Sequence, residues 1–118
     1  MRTASLAALL AAGLSVAGCG GDNGDDIAAA PTDTIRITDF VFDPQPVTVK
    51  AGAPISVPND DAAPHTLTDR PDSGEPRFDT GTLRGRQTGT FTATKPGTYA
   101  IYCVIHPFMK GEIEVVAS

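Results

Sequence analysis

From Asp33 to Ser118 the chain alternates apolar and polar residues in short runs broken by turn signals, which is the period of strands. Ile35 and Ile37 share one face, Val47 and Val49 form another pair, and Ile55 and Val57 follow the turn Gly52-Ala53-Pro54. The run Thr88–Thr94 alternates around Phe91 and Ala93. In Lys95-Pro96-Gly97 the proline presets φ and the glycine tolerates a positive one, so the segment predicts a turn, with a strand over Thr98–Val104 after it. Ile113 and Val115 close the pattern. No stretch has helical periodicity and no repeat is present. Short strands with one inward apolar face predict an all-β fold, an antiparallel or mixed sandwich around a single core.

The first residues follow different rules. Met1-Arg2 is a minimal positive start, and Leu6–Val16 is an apolar run too short to span a bilayer, so residues 1–18 read as a signal peptide. Val16-Ala17-Gly18-Cys19 ends that run with the order of a bacterial lipobox, which predicts cleavage before Cys19 and lipidation of its thiol. Residues 20–32, GGDNGDDIAAAPT, carry no period of either kind and read as a flexible tether. The expected organisation is a signal peptide over 1–18, a lipidated Cys with its tether over 19–32 and one domain over 33–118, anchored outside the cytoplasm.

Composition narrows the function. At 118 residues, with 41% hydrophobic residues, the chain suits one folded domain and excludes a disordered tail. Nine Lys+Arg against 14 Asp+Glu give a net charge of −5, and no basic cluster is present, so nucleic acid is not the expected partner. With Cys19 acylated, Cys103 has no cysteine to pair with, although the compartment would permit a disulfide.

The candidate chemistry lies in two places. Along Tyr99-Ala100-Ile101-Tyr102-Cys103 the strand period turns Tyr99, Ile101 and Cys103 inward and Ala100 and Tyr102 outward. Then Cys103, His106 and Met109 recur every third residue through a loop stiffened by Pro107. Upstream, in Ala62-Ala63-Pro64-His65-Thr66-Leu67, His65 shares a face with Leu67 and is expected to turn inward. Singly, each residue has an ordinary explanation: a buried thiol as a small hydrophobe, a core Met, a His satisfied by a carbonyl. Jointly, both His residues, the one Cys outside the lipobox and the one Met besides Met1 fit a single site. A thiolate, two imidazoles and a weak thioether form a soft set that selects copper over zinc.

The block GTYAIYCVIHPFMKGEIEV, with VPNDDAAPHTLTD upstream, resembles the blue (type 1) copper proteins of the cupredoxin family, and its short Cys-x-x-His-x-x-Met loop is most similar to those of amicyanin and pseudoazurin. The resemblance implies a Greek-key β-sandwich of about eight strands with one copper near one end. It implies His65, Cys103 and His106 as equatorial ligands and Met109 as the axial one. Two positions depart from the family: Thr66 stands where Asn is frequent after the first ligand, and Val104 where Ser or Thr commonly follows the Cys.

A centre of that kind offers a substrate no open position, so the expected function is electron carriage, not catalysis. A copper carrier or scavenger is the alternative, although no Met- or His-rich tract supports it. A thiol enzyme built on Cys103 and His106 would leave His65 and Met109 unexplained. A dinuclear copper centre needs two Cys in the loop, and a multicopper oxidase needs several His pairs. The expected partners of this monomer are redox proteins, such as a c-type cytochrome or a copper or quinoprotein enzyme. His106 is the expected electron exit, in an apolar surface from Ala62, Ala63, Pro64, Pro107 and Phe108; Tyr102, which has a counterpart in plastocyanins, is the competing one.

Overall fold

The computed structural model describes residues 30–118, so the signal peptide, Cys19 and most of the tether lie outside the described residues. The chain runs through β1 (Arg36–Thr38), β2 (Val41–Asp43), β3 (Val47–Lys50), β4 (Pro54–Pro58), β5 (Thr68–Asp69), β6 (Thr88–Thr92), β7 (Gly97–Tyr102) and β8 (Lys110–Val116), with no helix among the described residues. Thr32 is already fixed to the domain, its N–H donating to Thr48 O at 2.8 Å.

Two layers enclose the core. One is a four-stranded sheet in the order β3-β8-β7-β5, with β3 parallel to β8 and the other pairs antiparallel. The other joins the β1-β2 hairpin to the antiparallel pair β4-β6 through parallel bridges Thr34↔Ser56 and Ile37↔Asn59. Neighbours in these sheets are mostly remote in sequence, so the chain crosses repeatedly between layers, as the all-β sandwich requires.

The alternation expected from the sequence is the alternation observed. Ile35, Ile37, Val47, Val49, Ile55, Val57 and Ile113 are fully buried, and Phe91, Ala93, Tyr99, Ile101 and Val115 nearly so. Each such large aliphatic contributes about 1.5–3 kcal/mol when taken out of water. Phe78 stacks on Phe91 at 4.8 Å, and Tyr99 meets Phe78 edge-on at 5.5 Å. The hairpin β1-β2 was not expected as such: its Phe42, 1% exposed, belongs to the core.

The strand containing Tyr99 ends at Tyr102, short of the expected Val104, because beyond Tyr102 the chain turns into the loop toward Met109. That loop closes on itself: Cys103 N–H donates to Met109 O at 3.1 Å, and Met109 N–H to His106 O at 2.8 Å.

Candidate metal centre

One end of the sandwich is built from three segments, the loop from β4 to β5 (Asn59–Leu67), the loop from β7 to β8 (Cys103–Met109) and the β1-β2 turn (Asp39-Phe40). The first is held by Asn59, which is 1% exposed. Its side-chain amide donates to Ala63 O at 2.9 Å and to Leu83 O and Arg84 O at 3.2 Å, while its Oδ1 accepts Asp61 N–H at 3.0 Å. Gly85 packs against the same loop so closely that a Cβ there would lie 2.3 Å from Ala62 O. Next, His65 exchanges backbone hydrogen bonds with Leu83, 3.0 and 2.7 Å. His65 is inward as expected, but not through simple alternation, since residues 65–69 are all buried.

The two loops bring His65, Cys103 and His106 together with their ligand atoms within 4.8 Å of one another. Cys103 Sγ lies 3.9 Å from His65 Nδ1 and 3.8 Å from His106 Nδ1. Metal–nitrogen and metal–sulfur bonds of about 2.0–2.3 Å at a trigonal angle place N and S about 3.8 Å apart, so both sulfur–nitrogen spacings fit donors to one metal ion. Met109 is buried beside them at 2% exposure, and Cys103 and His65 are at 0%, whereas His106 is half-buried. Cys103 is a free thiol. Thr66 N–H and His106 N–H both donate to its sulfur, each at 3.4 Å.

The departures at Thr66 and Val104 turn out to meet each other. Val104 N–H donates to Thr66 Oγ1 at 2.9 Å, and that hydroxyl also pairs with Thr68 Oγ1 at 2.9 Å. A side-chain oxygen after the first His therefore still ties the two ligand loops, with the Val104 backbone supplying the donor.

Two neighbours of the site were not found from the sequence. Asp61 Oδ2 lies 2.8 Å from His65 Nε2. Burial works to raise the Asp61 pKa, but the amides of Phe40 and Asp39, together with His65, hold its carboxyl below the ordinary carboxylate value. Phe40 meets the His65 ring edge-on at 4.9 Å and the His106 ring at 5.1 Å. The signal for Phe40 was its place in Phe40-Val41-Phe42, three apolar residues in a row of which a sheet cannot bury all. Nothing in the sequence distinguishes Asp61 from Asp60.

Among the described residues the exposed large hydrophobic side chains are Phe40, Val41, Val104, Ile105 and Phe108, all from the β1-β2 hairpin or the Cys103–Met109 loop. Phe108, 70% exposed, stacks on Phe40 at 6.0 Å and meets the His106 ring at 6.0 Å. Of the surface residues expected from the sequence, Ala62, Pro64, Pro107 and Phe108 are exposed and Ala63 is half-buried. Tyr102 is half-buried as well, with the Arg70 guanidinium 5.5 Å from its ring centre.

The family described as Cupredoxin-like domain matches residues 4–115. Amicyanin-alpha of Methylorubrum extorquens is 32% identical over 118 residues, which is 98% of this chain and 99% of the relative. Among solved structures, the Cu(I) form of an amicyanin mutant is similar with a TM-score of 0.63 and 25% identity, covering 75% of this chain and 86% of that one. The copper-containing nitrite reductase from Thermus scotoductus SA-01 is similar with a TM-score of 0.61 and 29% identity, covering 76% of this chain but 23% of that one.

Proposed function

The chain belongs to the family of cupredoxin-like domains, and from that premise we propose that it carries single electrons through one type 1 copper ion held by His65, Cys103, His106 and Met109. The observation that carries this reading is the convergence of one buried thiol and two imidazole Nδ1 atoms at 3.8–3.9 Å, with Met109 buried beside them. Copper bound there supplies a one-electron couple between Cu(I) and Cu(II).

The remaining work falls to the chain. The scaffold fixes His65 through Leu83, and the closed Cys103–Met109 loop fixes the other three donors, so the donor spacing changes little when the charge at the site changes. Two N–H groups on the Cys103 sulfur stabilise its negative charge. Burial of His65, Cys103 and Met109 keeps water and small substrates away, which supports a carrier over an enzyme and over a carrier of exchangeable copper. The half-buried His106 ring, flanked by Phe40 and Phe108, offers the electron a short path to an apolar surface. Such a surface suits the small, transient interfaces of redox encounters.

The finer part of the proposal is the location. Val16-Ala17-Gly18-Cys19 supports a lipid anchor on Cys19, with residues 20–32 holding the domain off an extracytoplasmic membrane surface. The partner is then a redox protein in the same compartment, and the net charge of −5 favours one with a basic face, such as a c-type cytochrome.

Loading the purified protein with Cu(II) tests the reading. One equivalent should bind with an intense visible charge-transfer band, and Cys103→Ser should abolish that band. A colourless Cu(II) protein, or preference for zinc in competition, overturns it.

A further inference from the structure

Asp61 stands where the His65 loop meets the β1-β2 turn, and each of its carboxylate oxygens is used. Oδ1 accepts Asp39 N–H at 2.7 Å; Oδ2 accepts Phe40 N–H at 3.0 Å and lies 2.8 Å from His65 Nε2. A carboxylate oxygen only accepts, so the 2.8 Å contact requires His65 Nε2 to carry a proton and donate it to Asp61, while Nδ1 lies on the side of the Cys103 sulfur at 3.9 Å. The Asp61 side chain is only 13% exposed.

The turn it grips is itself unusual. Thr38 pairs with Val41, leaving a two-residue loop in which Asp39 has φ 50° and Phe40 φ 60°. Hairpins of this kind favour Asn-Gly because both central residues are left-handed, and Phe is a poor choice there. The strained residue is also the one whose ring covers both imidazoles and stacks on Phe108. Strain of this sort persists only where surrounding contacts over-determine it, and it gathers at functional sites. The contacts that do so here are those to the Asp61 carboxylate.

We infer that Asp61 is a positioning residue with two roles: it orients the His65 imidazole and raises its donor strength through Nε2–H, and it holds the strained turn that seats Phe40 over the His65 and His106 rings. One carboxylate thereby sets both the electronic character of a ligand and the shape of the face a partner meets. The first role rests on the copper reading; the second does not. A charged acceptor on a ligand imidazole favours the oxidised metal, so Asp61 holds the reduction potential down.

The near-isosteric Asp61→Asn keeps one oxygen, which can face Phe40 N–H and His65 Nε2–H, but removes the negative charge beside the imidazole. In the copper-loaded full chain it should weaken Cu(II) relative to Cu(I) by about tenfold, a rise of about 59 mV for one electron. A purely structural role leaves the potential where it is, and an unshifted potential overturns the first role. NMR of the metal-free chain gives a readout that needs no copper. The His65 Nε2–H signal should appear at low field in the wild type and disappear in Asp61→Ala, and its absence from the wild type overturns the pairing. If the wild type takes up no copper while that signal is present, the copper reading fails and the pairing stands. For the turn, Asp61→Ala should lower the melting temperature clearly less in a Phe40→Gly background, where glycine accepts the positive φ. Equal losses in the two backgrounds overturn the second role.

Discussion

Val104 N–H donates to Thr66 Oγ1 at 2.9 Å, across 38 residues of sequence, and this hydrogen bond ties the loop of His65 to the loop of Cys103, His106 and Met109. Thr66 serves the site twice, since its own N–H points at the Cys103 sulfur. Thr66→Val keeps the shape but leaves Val104 N–H without its acceptor, which should cost about 1–3 kcal/mol. Urea unfolding of the metal-free protein measures it. Thr66→Ser retains the hydroxyl and should stay near wild type; equal losses in the two variants would show that the hydroxyl is not what joins the loops.

Met109 is buried and its backbone closes the Cys103–Met109 loop, so under the proposed reading its thioether should tune the centre while main-chain bonds hold the loop. Met109→Leu conserves volume and should cost less than about 1.5 kcal/mol. Copper should remain bound and the reduction potential should rise, because loss of an axial donor disfavours Cu(II). Voltammetry of the loaded variant decides it, and an unchanged potential removes Met109 from the ligand set.

The route of the electron is open to a direct comparison. Phe108→Glu places a charge beside the His106 ring and Ala63→Glu one on the His65 loop; under the proposed reading either should slow electron self-exchange by about tenfold or more, with the visible spectrum nearly intact. Tyr102, the competing exit, is half-buried with the Arg70 guanidinium 5.5 Å from its ring centre. If Tyr102→Ala slows exchange and the two glutamates do not, the electron leaves by Tyr102 instead.

The anchor is tested in the cell. Wild-type protein should sediment with membranes and take up a labelled fatty acid, and Cys19→Ser should do neither. Each buried methylene contributes about 0.8 kcal/mol, so several acyl chains hold the domain essentially permanently. A soluble, unlabelled wild type removes the lipoprotein proposal.

The strand pattern, the inward Cys103 and the grouping of Cys103, His106 and Met109 were legible in the sequence because each depends on neighbours along the chain. Period-2 alternation assigns faces wherever one face meets a core, and a loop of seven residues keeps its own donors close. Even so, the hairpin carrying Phe42 was missed, since Phe40-Val41-Phe42 has no alternation to read and its bend lies in two left-handed residues that are not glycine.

What the sequence determined by itself is the class of fold and the inventory of donors over residues 33–118: short alternating strands, one Cys, two His and one Met, a combination whose chemistry is soft wherever the chain places it. What only the tertiary structure decided is who stands beside those donors. Asp60 and Asp61 are adjacent and chemically identical, yet Asp60 pairs with the exposed Arg36 at 3.1 Å while Asp61 reaches His65 at 2.8 Å. Thr66 and Val104 likewise look like two separate departures until the fold joins them. The reason is physical: local periodicity fixes which way a side chain points, whereas a hydrogen bond between distant segments depends on how two loops approach, and that is set by the packing of the whole sandwich.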